Sequence, residues 1–358
     1  MAELIRRGYR VLVLCAGGGP MPKPGPWIDS AGVPVRILTN KSEGTFAAIQ
    51  FTLRVAWQLL LHRNRIGMAY FLMPGLHLAL GLPVARLLGM KTIMKFSGSN
   101  TIRPLARSRA GRFELSCLRR WSVPVMLLND AMVDEAESVG LRRSQTLFMP
   151  NPVDVSLFSP PTGEEKLRRR EEFGISEESF VVIYTGRLSA EKGLRYLIEG
   201  VLKAMETEAS IQLLLIGDGP YRVELEALAA SRNSAADRIR FVGRVAPDTI
   251  PIWLSVADVF ALVSPNEGFS CALAEAMAIG LPSLVSDIPA NAQLVRDGVH
   301  GLTVPVGDTE AIALALRKLR AADEVRKRMA SAAREEIVQN YSLDKVVDRY
   351  EALFAKMQ

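Results

Sequence analysis

The stretch VFALVSPNEGFSCALAEAMAIGLP, residues 259–282, decides the fold. Residues 259–263 form a short apolar run stopped by turn residues, which reads as a buried strand. The loop Ser264-Pro265-Asn266-Glu267-Gly268-Phe269-Ser270 follows, then an alanine-rich helix containing Glu275, then a further strand at 282–286. Strand, loop, helix and strand make one βαβ unit of a parallel sheet. The same alternation extends outward in both directions. Strands are expected at 180–185, 212–216, 239–243 and 302–304, and before them at 10–15, 34–39, 68–73, 91–96, 123–128 and 145–149. The last 50 or so residues, rich in Ala, Arg, Glu and Lys at helical spacing, read as two or three helices.

A chain of 358 residues exceeds one ordinary core and suits two domains. The proline-dense segment PNPVDVSLFSPP, residues 150–161, separates them. The expected division is 1–152, 153–340 and a C-terminal helix at 341–358 packing back on the first domain. The fold class is α/β, with two Rossmann-like parallel-sheet domains facing across a cleft. Ligands of such sheets bind at the carboxyl ends of the strands.

Composition narrows the partners. Hydrophobic residues make up 49% and charged residues 23%, as in globular proteins. The net charge of +6 gathers partly at Arg103, Arg107, Arg109, Arg112, Arg119 and Arg120, with a second run at 166–170. These runs read either as solvated helix faces or as attractors of anionic headgroups and phosphorylated substrates. No aromatic residues alternate with the arginines, so no nucleic-acid partner is expected. Cys15, Cys117 and Cys271 share no disulfide or zinc spacing, which fits a reducing cytoplasm. Met1 and the residues after it read as an amphipathic helix rather than a signal peptide. The apolar stretch 66–90 is interrupted by Pro74, Pro83, glycines, His77 and Arg86 and reads as a buried strand, helix and strand.

Two loops carry the chemistry. After the strand ending at Thr185 comes Gly186-Arg187-Leu188-Ser189-Ala190-Glu191-Lys192-Gly193, which sets two cations five residues apart at a strand's carboxyl end. Glycines allow close backbone approach, a helix N-terminus offers N–H groups, and Arg with Lys supplies positive charge for a diphosphate. In the second loop, Glu267 and Glu275 lie eight residues apart across a loop-to-helix junction. At about 1.5 Å rise per helical residue they stand roughly 10 to 12 Å apart, near the span from hexose to ribose across a diphosphate. Backbone N–H groups of Gly268, Phe269, Ser270 and Cys271 fall at the helix start, where negative charge is stabilised. The apolar surroundings of Glu275 require it to be engaged rather than solvated. Gly217-Asp218-Gly219 reads as a tight strand-to-helix turn. His300 reads as a turn residue, and no thiol chemistry is expected of Cys271. No GxGxxG follows a strand, and Gly17-Gly18-Gly19 runs into a proline-rich loop, so a nicotinamide oxidoreductase is disfavoured.

At these residues the chain resembles glycosyltransferase family 4, retaining enzymes of the GT-B architecture. The resemblance runs through GRLSAEKGLRYLIEG, LLLIGDGPYRVELEALA, IRFVGRV, ADVFALVSPNEGFSCALAEAMAIGLPSLVSD and VRDGVHGLTVPVGD, in the family's order. It implies that Arg187 and Lys192 contact the donor diphosphate and stabilise the leaving nucleotide. Glu267 would hold donor-sugar hydroxyls near the anomeric carbon. Backbone from Gly268 to Cys271, with Gly186, would complete the sugar and phosphate contacts. Glu275 would bind the ribose, and the backbone at Arg244 and Val245 would meet the base. The resemblance further implies front-face attack with retention, and no metal or cofactor beyond the nucleotide-diphosphate sugar itself.

Three departures from the family pattern stand out. Relatives open with a strand, a Gly-rich loop and a long helix before a segment like RGYRVLVL, whereas Met1 lies only seven residues before Gly8, so the resemblance implies a truncated N-terminus. After the strand at 91–96, Ser97-Gly98-Ser99-Asn100 stands where relatives carry a histidine, leaving Ser97 and Ser99 as acceptor-side candidates. Ile288-Pro289-Ala290-Asn291 replaces a Gly-Gly-like turn, with Gln293 where a Glu is common. The expected activity is transfer of a hexosyl unit from a UDP- or GDP-sugar to a glycan, lipid-linked or small-molecule acceptor, in polysaccharide biosynthesis. The expected setting is the cytoplasm, with peripheral contact at the anionic inner face of the membrane. The alternative is a catalytically silent nucleotide-sugar-binding protein.

Overall fold

The computed structural model describes residues 1–16, 25–28, 32–39, 44–231 and 236–357. The glycines at 17–19 lie outside them. The chain divides into two compact units, one of residues 1–150 and 347–358 and the other of residues 151–346.

In the first unit the strands are β1 (Val13–Ala16), β2 (Gly25–Ile28), β3 (Pro34–Thr39), β4 (Met68–Leu72), β5 (Lys91–Lys95), β6 (Val125–Leu127) and β7 (Thr146–Phe148). The helices are α1 (Ala2–Arg6), α2 (Thr45–Leu61), α3 (Leu76–Leu87), α4 (Arg109–Arg120) and α5 (Asp130–Ser138). Six strands fall where apolar periodicity predicts them, but they do not share one sheet. Hydrogen bonding gives a sheet of order β1-β3-β2 and a parallel sheet of order β4-β5-β6-β7. Among the described residues β1 pairs only with β3, and β4 only with β5. The strand β2 is a further departure from the all-parallel expectation, since it runs antiparallel to β3. It carries Pro26, which lacks an N–H and is tolerated because β2 is an edge. The apolar stretch at 66–90 resolves into β4 and α3, and no helix among the described residues is long and apolar enough to cross a membrane.

The second unit contains one sheet of order β10-β9-β8-β11-β12-β13, parallel throughout. Its strands are β8 (Phe180–Thr185), β9 (Ile211–Ile216), β10 (Ile239–Gly243), β11 (Val259–Leu262), β12 (Ser283–Ser286) and β13 (Gly301–Val304). The intervening helices are α6 (Gly163–Glu172), α7 (Leu194–Met205), α8 (Arg222–Ala230), α9 (Ile250–Ser255), α10 (Cys271–Ala278), α11 (Pro289–Ala292), α12 (Thr309–Ala321), α13 (Asp323–Asn340) and α14 (Leu343–Met357). Every residue of β8, β11 and β12 is buried, as continuous apolar strands covered on both faces must be.

The division falls at 150/151 and 346/347 rather than at 152/153 and 340/341. Val153 N–H donates to Tyr341 O and Leu343 N–H donates to Val153 O, so both crossing segments are tied into the second unit before the chain leaves it. Helix α14 therefore begins in one unit and ends in the other.

Candidate functional site

The strand order of the second unit reverses between β8 and β11. From β8 the chain moves outward through β9 and β10, then returns to β11 and continues the other way to β13. A crevice opens at the carboxyl ends of the strands at such a point, because the two following connections leave on opposite faces. The two charged loops of the sequence occupy this place: residues 186–193 follow β8 and residues 263–270 follow β11.

Backbone packing brings the loops together. Gly193 adopts the left-handed conformation at φ +66, and a Cβ there would lie 2.4 Å from Val263 O and 3.3 Å from Ser264 Cα. Only glycine fits, and it ends the short turn Ala190–Lys192 and opens α7. The loops after β8 and β9 are also in contact: a Cβ on Gly217 would lie 1.9 Å from Gly186 O, and Gly217 N–H donates to Gly243 O at 2.8 Å. The turn Gly217-Asp218-Gly219 thus has a packing role that needs no ligand.

The side chains converge where the loops touch. Lys192 Nζ donates to both oxygens of Glu267, at 2.8 Å to Oε1 and 3.0 Å to Oε2. Ser264 Oγ donates to Glu267 Oε1 at 2.8 Å. The Glu267 side chain is 8% exposed and that of Lys192 26%, so the pair is largely removed from solvent and strongly coupled. Arg187 is exposed and makes no ion pair among the described residues, leaving its guanidinium available. The loop is held by Tyr184, buried in β8, whose hydroxyl donates to Arg187 O at 3.0 Å. Burial, with Glu267 and Glu191 nearby, pushes the Tyr184 hydroxyl well above its ordinary range and keeps it a neutral donor.

Helix α10 starts at Cys271. Its first turn is capped by Ser270 Oγ, which accepts from Leu273 N–H at 3.2 Å. The Phe269 ring is buried, with its centroid 5.8 Å from that of Tyr341. The side chains of Phe269 and Ser270 are therefore committed to packing and capping. Cys271 is exposed, with Asn151 Nδ2 3.6 Å from its sulfur. One turn on, Glu275 is half-buried without a hydrogen-bond partner among the described residues, and burial pushes its carboxyl up to about 7. A carboxylate in that position is short of donors.

The remaining expected residues stand apart from this cluster. Arg244, exposed, and Val245 follow β10, two strands from β8. Ser97 and Ser99 belong to the first unit, on the segment after β5. Ser97 Oγ donates to Met73 Sδ at 2.6 Å, and Asn129 Nδ2 donates to Ser99 Oγ at 3.3 Å. Their segment is anchored by the buried Glu135, whose carboxylate accepts from the N–H groups of Asn100, Ile102 and Arg103 at 3.2, 2.9 and 2.8 Å. His300 is a buried turn residue whose Nδ1 lies 3.0 Å from Leu294 O.

Sequence reading missed the residues that set the second loop. Ser286 Oγ, at the end of β12, donates to Ser264 O, and Asn291 Nδ2 donates to Ser286 O at 2.9 Å and to its Oγ at 3.2 Å. Asn291 appeared only as a departure from a family turn. Its place two residues after Pro289, just beyond the strand expected at 282–286, was the available signal.

The profile described as "Glycosyl transferases group 1" matches residues 165–336, which include both loops. The phosphatidyl-myo-inositol mannosyltransferase of Mycobacterium leprae is 30% identical over an alignment of 360 residues, covering 94% of this chain and 86% of that protein. The alpha-D-kanosaminyltransferase of Streptomyces kanamyceticus is 30% identical over 196 residues, 55% of this chain and 50% of the relative, so the chain spans about half the length of that protein. The crystal structure of Anabaena HepE in complex with UDP superposes with a TM-score of 0.77 at 20% identity, covering 91% of this chain and 87% of that one. The chain belongs to the group 1 glycosyltransferases, and its fold is the α/β GT-B architecture.

Proposed function

We propose that the protein transfers a hexosyl unit from a nucleotide-diphosphate sugar, a UDP- or GDP-sugar, to a glycan, lipid-linked or small-molecule hydroxyl, with retention of anomeric configuration and without a metal. The observation that carries this reading is the Lys192–Glu267 ion pair at the strand-order reversal, with Arg187, unpaired among the described residues, on the same loop as Lys192 and the donor-poor carboxyl of Glu275 one helical turn into α10. As the anomeric C–O bond breaks, negative charge grows on the leaving diphosphate, and two fixed cations are worth most at that moment. Lys192 and Arg187 are assigned that task. Glu267, oriented by Ser264, accepts hydrogen bonds from sugar hydroxyls near the anomeric carbon. The acceptor hydroxyl attacks the same face that the diphosphate leaves and gives its proton to a leaving phosphate oxygen, so no enzyme nucleophile is required.

Glu275 accepts from the ribose hydroxyls, which supply the donors it lacks. Backbone groups of Gly186 and of Gly268 to Cys271 meet the phosphates and sugar, Arg244 and Val245 flank the base, and Ser97 and Ser99 serve the acceptor. The names of the relatives, a mannosyltransferase and a kanosaminyltransferase, support a hexosyl unit, and the UDP complex of HepE supports a nucleotide diphosphate as the leaving group. The setting in this reading is the reducing cytoplasm, in keeping with Cys15, Cys117 and Cys271 forming no disulfide among the described residues.

Thermal-shift titration with UDP-, GDP- and ADP-sugars, followed by donor-hydrolysis and transfer assays, tests the reading. A ligand that binds only the folded protein raises its melting temperature. Selective stabilisation by one nucleotide sugar, lost in Lys192→Ala, is expected. Equal turnover by wild type, Lys192→Ala and Glu267→Ala would remove the catalytic assignment.

A further inference from the structure

The second unit holds a cavity at the end of its sheet opposite the strand-order crevice. Its volume of about 380 Å³ falls within the range of small-molecule sites, about 300–1,000 Å³. Ala257 and Leu281 line it, two residues before β11 and β12 respectively, so it lies at the amino ends of strands whose carboxyl ends lead to Glu267 and carry Ser286. Helix α10 joins the two places. Cys271 begins it after the Glu267 loop, and Ile279 and Gly280, which line the cavity, follow its last residue. At about 1.5 Å rise per residue, the eight residues of α10 separate its ends by roughly 12 Å. A Cβ on Gly280 would lie 3.8 Å from both Ala330 O and Pro160 Cγ, so the loop after α10, helix α13 and the segment before α6 close around the cavity.

Two cations stand in a lining that is otherwise mostly apolar. Leu254, Ile279 and Leu281 are buried and line it with Pro160 and Pro161, while Lys166 and Arg334 are half-buried. Arg334 Nη1 donates to the carbonyls of Phe158 and Ala278, and Nη2 donates to Val155 O at 3.1 Å. All three partners are main-chain carbonyls. Burial pushes the Arg334 guanidinium below its ordinary range, with no acid among the described residues to oppose it. Its Nε–H has no partner among the described residues, and Nε with Nη2 forms an edge that can grip a carboxylate through two parallel bonds. Lys166 Nζ donates to Ala257 O and to Asp258 Oδ1, each at 2.8 Å, which leaves one of its N–H groups to spare. Asp258 is shared with Arg170, whose Nη2 lies 2.6 Å from Oδ2, so this cluster keeps a net positive charge before Arg334 is counted. Surplus positive charge against an apolar cavity is costly unless an anion joins it.

We infer that this cavity is a second ligand site, which takes a small carboxylate with a compact apolar body. The carboxylate lies on Arg334 and Lys166, and the body packs on Leu254, Ile279 and Leu281. This goes beyond glycosyl transfer and does not depend on it, since none of these residues belongs to the donor loops. The occupant shares Arg334 with Ala278 O, the last carbonyl of the helix that carries Glu275.

The test is a ligand-observed NMR titration of the full chain with benzoate, its uncharged analogue benzamide, and inorganic phosphate. Wild type should bind benzoate, and should bind benzamide about tenfold more weakly for want of the charge. Phosphate, an anion without an apolar body, should also bind about tenfold more weakly than benzoate. Arg334→Gln should lose about tenfold in benzoate affinity. Because that change also strands three carbonyls, Ala330→Leu provides a second variant that keeps both cations and fills the cavity. It should weaken benzoate about tenfold with an unchanged melting temperature. The proposal is overturned if wild type binds benzoate no better than benzamide, or if either variant binds benzoate like wild type, since Arg334 then serves the main chain alone. It is equally overturned if phosphate binds as tightly as benzoate, because the cavity is then only a patch of charge.

Discussion

Gly193 lies against the Val263 carbonyl with no room for a side chain: a Cβ would stand 2.4 Å from the oxygen. This contact fixes the spacing between the loop after β8 and the loop after β11, and hence between Lys192 and Glu267. Gly193→Ala adds that clash to the strain of a positive φ. It should cost about 1–3 kcal/mol of stability and weaken nucleotide-diphosphate binding tenfold or more by calorimetry. Gly163→Ala, which meets open space, should change neither.

Removal of either member of the Lys192–Glu267 pair leaves a mostly buried charge without its counter-ion, which is more damaging than the absence of both. Turnover should fall about 10²-fold or more in Lys192→Ala and in Glu267→Gln. In a double-mutant cycle on melting temperature, the paired variant should be more stable than the sum of the single losses. Additive losses would show that the pair is not coupled.

The Glu275 carboxyl, raised by burial to about 7 from an ordinary value of 4.5, makes a signed prediction. A group whose folded pKa is raised favours the folded state most below its unfolded pKa, and that contribution is lost as pH rises through the folded value. Wild type should therefore lose stability relative to Glu275→Gln between about pH 4.5 and 7. If ribose hydroxyls donate to the ionised form, nucleotide affinity should rise with pH across 7 in wild type and stay flat in Glu275→Gln. Parallel pH profiles for the two proteins would remove Glu275 from the ribose.

Glu135 holds the segment that carries Ser97 and Ser99. Glu135→Ala strands the N–H groups of Asn100, Ile102 and Arg103 and should cost about 2–3 kcal/mol. Amide exchange at these three positions should accelerate, and the KM for acceptor should rise while nucleotide affinity stays unchanged. A fall in nucleotide affinity would show that the segment does not serve the acceptor alone.

Much of this was legible in the sequence, for physical reasons that differ by element. Strands such as β8 and β11 are continuous apolar runs cut by turn residues, a signal carried entirely by neighbours in the chain. Lys192 and Glu267 were legible because charged residues at the carboxyl ends of strands are costly unless they are used or paired. What holds them was not. The Tyr184 hydroxyl reaches Arg187 O over three residues only because the loop bends back, which periodicity does not report, and the relay from Asn291 through Ser286 reaches Ser264 across 22 residues. The strand β2 was hidden because proline argues against a strand until its edge position is known.

The first unit is discontinuous, since its last element is the end of α14. Tyr350 places its hydroxyl 3.2 Å from that of Tyr70 and accepts from Lys95 Nζ at 3.2 Å, and Phe354 meets Tyr9 at 5.7 Å. Arg7 likewise pairs with Asp348 and Glu351 at 2.7 Å. None of these partners exists until the ribosome has made the entire second unit. The order of synthesis is therefore not the order of completion: the half made first must wait, with Lys95 and Tyr70 lacking these partners, for the last residues to emerge.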